Sequence, residues 1–263
     1  MDKPAPFPRP MRDIDAAAFR QDFAGVDAWI FDLDNTLYSP EVRLFSQIEA
    51  RMTAYVQRLL GVDAAEADRL RAHYWREHGT TLAGLMAHHG IDPESYLAEV
   101  HDIDFAALTP EPALAQAIRA LPGLKIIHTN ADAAYAGRVL ARRELDVFDA
   151  VHGIGEVGYH PKPDPRSFAA VLRAHGLNPA RCAMFEDDPR NLEVPFSLGM
   201  RTILVGAGRH GPDELPEDHS HAGHVLWHTR DILTFVTALA GAVADVRSSQ
   251  ATLSTAEADH EPH

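Results

Sequence analysis

Short apolar segments alternate with helical segments through the second half of the chain, and this alternation is the feature that most constrains the fold. An earlier segment, Asp27–Leu33, is rich in aromatic and branched residues, which is typical of a strand buried on both faces. Leu124–Thr129 and Cys182–Glu186 are predicted as further strands, with helices at Asp132–Arg143 and Ser167–His175. Such alternation predicts an α/β fold, a doubly wound, Rossmann-like parallel sheet with helices on both faces.

Residues 41–106 interrupt the alternation and contain no convincing strand. Their apolar residues recur at three- or four-residue spacing, as in Leu44, Ile48 and Met52, and glycines divide the stretch into several helices. We therefore predict a helical cap inserted after the first strand. The predicted organisation is an N-terminal arm (1–24), an α/β core (25–40 and 107–245), this cap (41–106) and a disordered tail (246–263). The remaining predicted core elements are strands at Ala150–Ile154, Thr202–Val205 and Val225–His228 and helices at Asn191–Leu198 and Thr229–Val243.

The chain of 263 residues carries 38 acidic and 24 basic side chains, for a formal net charge of −14. Non-specific binding to nucleic acid or to an anionic membrane needs a basic face, so we expect neither partner. A small anionic substrate would need positive charge concentrated in one pocket, for example by a metal ion. The single cysteine, Cys182, excludes an intrachain disulfide and indicates a reducing compartment. Together with the lack of an 18-residue apolar run or an apolar N-terminal segment, it predicts a cytoplasmic protein.

Two carboxylates, Asp32 and Asp34, follow the first predicted strand in the segment Phe31–Tyr38. Side chains at positions i and i+2 project to the same side, and α/β proteins bind ligands at the carboxyl ends of their parallel strands. Two anions this close repel unless a cation lies between them or one is protonated. The pair suits a carboxylate nucleophile, a proton donor and a shared Mg²⁺ ion. An acidic turn with Asp34 or Asn35 as a helix N-cap is the alternative explanation.

Three further strand ends carry polar side chains. Thr129 and Asn130 could bind phosphate oxygens, or could cap the helix that begins near Asp132. Lys162 lies between two prolines in a chain with only three lysines. This favours a functional role, in which the site needs a compact positive charge, over the alternative of an ordinary surface lysine. The acidic run Glu186–Asp188 ends an apolar strand, where successive carboxylates are costly unless a cation compensates them. Polar side chains at four strand ends, in this order along the chain, favour one shared site.

These residues resemble the four motifs of the haloacid dehalogenase (HAD) superfamily, whose members are mostly Mg²⁺-dependent phosphatases. The opening segment Asp32–Tyr38 and the cap segments His73–Leu85 and His101–Asp104 are similar to its pyrimidine 5′-nucleotidase branch. The resemblance runs from about Trp29 to Leu239, and the cap segments are its most specific part. Asp188-Pro189 departs from the pattern, because that branch usually has a serine there.

The resemblance implies a role for each site residue. Asp32 would attack phosphorus and form an aspartyl-phosphate, and Asp34 would act as acid and then as base. Mg²⁺ would be bound by the Asp32 carboxylate, the Asp34 backbone carbonyl and Asp187, with Glu186 in direct contact or one shell further out. The charge on the phosphoryl oxygens would be stabilised by Thr129, Lys162 and the backbone around Asn130.

The resemblance also implies a small phosphorylated substrate, a pyrimidine nucleoside 5′-monophosphate such as UMP or CMP. In the cap, Tyr74 or a neighbouring aromatic residue could stack on the base, and Thr80 and Thr81 could bind substrate. Each of these residues could instead belong to the cap core, with Thr80 or Thr81 as an N-cap. Three other functions stay open: a phosphatase for another small phosphate, such as a sugar phosphate or phosphoglycolate, a phosphomutase, and a regulatory module that merely accepts phosphate. The sequence does not indicate an oligomeric state.

Overall fold

The computed structural model describes residues 9–10, 16–206 and 223–244, and the predicted tail (246–263) and most of the predicted arm lie outside them. The strands are β1 (Arg9–Pro10), β2 (Ala28–Phe31), β3 (Leu124–His128), β4 (Ala150–His152), β5 (Cys182–Glu186), β6 (Arg201–Val205) and β7 (Trp227–Thr229). The helices are α1 (Ala16–Phe23), α2 (Leu44–Leu60), α3 (Ala64–His78), α4 (Thr81–His89), α5 (Pro93–Val100), α6 (Pro112–Ala120), α7 (Ala133–Arg143), α8 (Pro165–His175), α9 (Glu193–Ser197) and α10 (232–244). None of the described helices is long and apolar enough to cross a membrane.

All the strands are parallel and form one sheet in the order β1-β7-β6-β5-β2-β3-β4. From β2 the chain adds β3 and β4 on one side, and then β5, β6 and β7 on the other. The predicted doubly wound parallel sheet is therefore confirmed. The strand order reverses beside β2, and ligands bind at the carboxyl ends of strands next to such a reversal.

The central strands are apolar because both of their faces are covered. Every residue of β2 and of β5 is buried, and the rings of Phe31 and Phe185 stack with their centroids 4.4 Å apart. Asp132 accepts a hydrogen bond from the amide of Tyr135 and caps α7, so the turn after β3 ends at a defined residue. These features hold the carboxyl ends of β2, β3 and β5 in register.

The structure differs from the predicted elements at one side of the sheet. The predicted strand Val225–His228 is observed at Trp227–Thr229, and Arg9 and Pro10 pair with it as a further strand that the sequence did not predict. Helix α1 lies within the predicted arm, but its Phe19 and Phe23 rings are fully buried against Trp227. These contacts join chain segments about 200 residues apart, which local sequence patterns do not reveal.

The predicted helix Asn191–Leu198 also has a different beginning. A 3-10 turn covers Pro189–Leu192 and leads into the short helix α9. The side chain of Asp188 accepts a hydrogen bond from the amide of Arg190, and Pro189 occupies the first position of the turn. Proline is well tolerated at that position, so the Asp-Pro pair starts the helical segment earlier than predicted.

Helices α2 to α5 occupy the region predicted as the cap (41–106). Their shared interior contains the buried side chains of Ile48, Val56, Leu85 and Val100. Gly79 ends α3 with a φ of 83° and lies so close to Pro161 and the carbonyl of Lys162 that an added Cβ would be 3.4 Å from either. The turn between α3 and α4 therefore rests directly on the strand ends of the core.

Candidate active site

The polar strand ends converge on one cavity of about 970 Å³ between the core and the cap helices. Its floor is formed by residues that follow four strands: Asp32 and Asp34 after β2, Thr129 and Asn130 after β3, Lys162 after β4, and Glu186, Asp187 and Asp188 at the end of β5. The structure thus brings together every core residue for which a site role was predicted. The cap helices α2 to α5 supply the opposite wall.

Lys162 lies at the centre of the floor and is only 1% exposed. Its Nζ is 2.7 Å from Oδ1 of Asp32 and 2.6 Å from Oε2 of Glu186. Burial alone would lower the pKa of the lysine, but the two carboxylates outweigh it and raise the pKa above its ordinary value. Lys162 is therefore a charged group of the site and not a surface lysine.

Asn130 fixes the backbone of Lys162. Its Oδ1 accepts from the Lys162 amide at 2.7 Å, and its Nδ2 donates to the Lys162 carbonyl at 3.2 Å. The side chain predicted to bind substrate thus has both ends of its amide engaged in positioning the lysine. Thr129 is buried and accepts from the Ala131 amide, and its hydroxyl proton can still serve an acceptor in the cavity. Because Asp132 caps α7, neither residue has the alternative capping role.

Asp34 is held by two tyrosines. Its Oδ1 accepts hydrogen bonds from Tyr38 Oη at 2.5 Å and from Tyr135 Oη at 2.6 Å. Burial and the negative charge of Asp32 raise the pKa of Asp34, while the tyrosine hydrogen bonds oppose this rise. The next helical turn is capped by Ser39, so Asp34 and Asn35 do not cap it.

Neither tyrosine was assigned a role from the sequence. Tyr38 stands four residues after Asp34 in the quoted motif, so its position was a usable signal. Tyr135 is 101 residues away, and only the packing of α7 against the end of β2 brings it to Asp34.

Asp32, Glu186 and Asp187 form the group of described residues that could bind a metal ion, with ligand atoms within 4.8 Å of one another. Burial and the charge of Asp32 raise the pKa of both Glu186 and Asp187, because the site concentrates more negative charge than Lys162 neutralises. An all-oxygen donor set with excess negative charge fits a hard divalent cation such as Mg²⁺.

Glu186, like Asp32, forms an ion pair with Lys162. Its Oε2 contacts Lys162, and its Oε1 accepts from the amide of Asp188 at 3.3 Å. The side chain is thus oriented towards the lysine, which suits a residue that positions Lys162. Each of the three carboxylates can offer one oxygen atom to a metal ion.

Asp188, at the position where the sequence departs from the nucleotidase pattern, makes an ion pair with Arg190 at 2.6 Å. The guanidinium carbon of Arg190 lies 3.5 Å from the ring centroid of Trp75 in α3. A cation over an indole face is attracted to it, so this contact links the end of β5 to the cap. Asp188 therefore holds Arg190, and Arg190 forms a bridge between the core and the cap.

The predicted cap residues fall into two groups. Thr80 and Thr81 line the cavity, and Thr80 also caps α4 by accepting from the amide of Ala83 at 3.1 Å. Tyr74 is not among the lining residues; it is buried inside the cap, and its Oη contacts Nε2 of His89 at 2.7 Å. Its neighbour Trp75 lines the cavity instead.

Comparison with known proteins agrees with this arrangement of fold and site. The sequence model of haloacid dehalogenase-like hydrolases matches residues 26–195, and a HAD-hydrolase-like model matches residues 160–232. The first match covers more than half of the chain, and the chain belongs to the haloacid dehalogenase-like hydrolase family. The predicted superfamily is confirmed, whereas the pyrimidine nucleotidase branch stays a prediction.

Individual relatives are more distant. Phosphate metabolism protein 8 of Saccharomyces cerevisiae is 27% identical over 197 residues, which are 67% of this chain and 60% of that protein. Phosphatase MT3486 of Mycobacterium tuberculosis is 32% identical over 118 residues, which are 44% of this chain and 53% of that protein. The chain thus spans somewhat more than half the length of these curated relatives. The solved L-2-haloacid dehalogenase PA0810 matches with a TM-score of 0.53 at 20% identity, covering 82% of this chain and 99% of that one, and shows the shared fold.

Proposed function

We propose that this protein is a Mg²⁺-dependent phosphomonoesterase that hydrolyses pyrimidine nucleoside 5′-monophosphates such as UMP and CMP. The observation that carries the proposal is Asp34, a half-buried carboxyl group of raised pKa in the same cavity as Asp32 and Lys162. An alkoxide leaving group needs a proton, whereas the halide that leaves a haloacid does not. An acid beside the nucleophile therefore favours a phosphate ester over a haloacid as substrate.

In the proposed reaction, a carboxylate oxygen of Asp32 attacks phosphorus, and the bond between phosphorus and the ester oxygen breaks. Asp34 gives its proton to the departing oxygen. The same residue, now ionised, takes a proton from a water molecule that attacks the aspartyl-phosphate. The bond between phosphorus and Asp32 then breaks, and inorganic phosphate and the original carboxylate are restored.

Lys162 supports both steps by compensating negative charge. It contacts Asp32 in the resting site and can also stabilise an oxygen of the phosphoryl group, as can the Thr129 hydroxyl. Mg²⁺ bound by Asp32, Asp187 and the backbone carbonyl of Asp34 would supply further positive charge to the transferring group. Without such compensation, a phosphate dianion would meet a cluster of carboxylates and be repelled.

The substrate class is supported by the cap segments that resemble the pyrimidine nucleotidase branch, and by the aromatic wall that Trp75 gives the cavity. Two relatives are named Phosphate metabolism protein 8 and Phosphatase MT3486, which agrees with a phosphatase. We also propose a cytoplasmic location, which is supported by the single cysteine, Cys182, because a chain with one cysteine forms no intrachain disulfide.

Release of inorganic phosphate by the purified protein tests this function. The substrates are UMP, CMP, dUMP, dTMP, AMP, GMP and several sugar phosphates, each assayed with Mg²⁺. The two controls are the Asp32→Asn protein and the wild-type protein with EDTA. Turnover of UMP and CMP that both controls abolish is the expected result. Turnover of sugar phosphates alone would contradict the nucleotide substrate, an isomerised phosphate ester would indicate a mutase, and a stable phosphoprotein without turnover would indicate a regulatory module.

A further inference from the structure

Two buried polar atoms have no hydrogen-bond partner among the described residues and belong to side chains that line the cap side of the cavity. They are Nε of Arg71, in α3, and Oη of Tyr96, in α5. Buried donors are nearly always paired in folded proteins, and leaving them unpaired costs stability. Both belong to the cavity that contains Asp32, so a molecule bound there can supply the missing acceptor.

The rest of the Arg71 side chain is held in place by the cap itself. Its Nη1 donates to Thr53 Oγ1 at 2.7 Å and to Asp68 Oδ1 at 3.0 Å, and its Nη2 lies 3.7 Å from Glu49 Oε1. These contacts fix the plane of the guanidinium. Nε–H is the donor of this group that is left for a ligand.

Tyr96 is equally constrained. It is fully buried, and its ring packs edge-on against Tyr55 with centroids 4.8 Å apart. Burial raises the pKa of the Tyr96 phenol, and the charge of Arg71 opposes this rise. The hydroxyl therefore stays protonated at neutral pH and can donate a hydrogen bond.

The charges around this end of the cavity disfavour a second anionic group. The Arg71 charge is already balanced by Asp68 and Glu49, which also line the cavity. A carboxylate or second phosphate beside Arg71 would meet a guanidinium whose charge these two carboxylates already balance. Apolar side chains of Phe45, Met52 and Leu97 complete the wall, so the surroundings suit a neutral, flat group that carries a hydrogen-bond acceptor.

We infer that Arg71 Nε–H and Tyr96 Oη–H donate to a carbonyl oxygen of the substrate's pyrimidine base and so determine specificity. Uracil and cytosine share the 2-carbonyl, whereas adenine has no carbonyl oxygen. The inference rests on the proposed nucleotidase function and adds to it the cap residues that recognise the base.

The test compares kcat/KM for UMP with kcat/KM for ribose 5-phosphate, which has the same phosphate and sugar and no base. In Tyr96→Phe and in Arg71→Lys, which keeps the charge and loses Nε–H, the UMP to ribose 5-phosphate ratio should fall about tenfold, mainly through KM for UMP. The UMP to AMP ratio should fall with it. Tyr55→Phe is the matched control, because Tyr55 touches Tyr96 but does not line the cavity, and its ratios should equal those of the wild type.

The outcomes separate the two proposals. Wild-type protein that hydrolyses ribose 5-phosphate or p-nitrophenyl phosphate but not UMP would refute the nucleotidase function itself. Wild-type protein that prefers UMP, with both variants keeping that preference, would overturn the role of Arg71 and Tyr96 alone. An equal loss of kcat/KM for UMP and for ribose 5-phosphate would show that the two residues only support the cap, and would overturn the inference as well.

Discussion

Replacing Tyr135 with phenylalanine removes one of the two hydroxyls that hold Asp34. The lost donor lies 2.6 Å from Asp34 Oδ1, and the donor of Tyr38 stays at 2.5 Å. A hydrogen bond to a charged group contributes about 1.5 to 3 kcal/mol, which is a factor of about 10 to 150 in the ionisation equilibrium of Asp34. Because this bond stabilises the ionised carboxylate, its loss raises the pKa of Asp34 further.

The two half-reactions respond in opposite ways. Transfer of the phosphoryl group to Asp32 needs protonated Asp34, so kcat/KM for UMP falls as the pH rises through the pKa of Asp34. In Tyr135→Phe this alkaline limb should move to higher pH. Hydrolysis of the aspartyl-phosphate needs ionised Asp34, so kcat near neutral pH should fall by about tenfold or more.

The assay is a pH profile of kcat and kcat/KM for UMP in wild-type, Tyr38→Phe, Tyr135→Phe and double-variant protein. The tyrosine oxygens are 3.4 Å apart, so the two substitutions should not be additive. p-Nitrophenyl phosphate is the control, because its leaving group needs little protonation and its kcat/KM should change less. An unchanged alkaline limb for UMP in Tyr135→Phe, or one displaced to lower pH, would refute the reasoning.

Three further outcomes test other parts of the structure. Lys162→Met leaves two buried carboxylates uncompensated, so it should abolish turnover and lower the free energy of unfolding by about 3 to 5 kcal/mol. Lys162→Arg keeps the charge and should lose less stability. Denaturant unfolding of both variants measures the difference. Gly84→Ala places a Cβ 2.4 Å from Tyr74 and should destabilise the protein by about 1 to 3 kcal/mol, while Gly137→Ala, with no atom within 4 Å, should be neutral or stabilising. Asp132 has a lowered pKa because its hydrogen bonds with His101 and with the amide of Tyr135, together with nearby positive charge, outweigh burial. Its stabilising effect is therefore complete above about pH 4 and is lost as the pH falls through its folded pKa. Thermal unfolding of Asp132→Asn, which keeps a capping side chain, should therefore depend less on acid pH than that of the wild type; equal dependence would contradict this.

Much of the site follows from the sequence because a parallel sheet brings the carboxyl ends of its strands to one edge. Asp32, Thr129, Lys162 and Glu186 each follow or end an apolar segment, so predicting the strands was sufficient to predict that these residues meet. The sheet and the helical nature of residues 41–106 were likewise predictable, since apolar periodicity is a local property.

The tertiary structure decided how those residues are used. The side-chain amide of Asn130 forms two hydrogen bonds with the backbone of Lys162, 32 residues away. Tyr135 reaches Asp34 across 101 residues. Local spacing does not encode such pairs, because they depend on how a helix packs against the end of a distant strand.

The cap shows most directly what the local sequence does not determine. Tyr74 and Trp75 are adjacent on α3, and successive residues of a helix point about 100° apart, so one of them faces the cavity while the other is buried. Both are aromatic, and their order in the chain does not distinguish them. The sequence by itself determined that an aromatic residue would stand there. The packing of Tyr74 against Gly84, where there is no side chain to exclude it, decided that the exposed ring is that of Trp75.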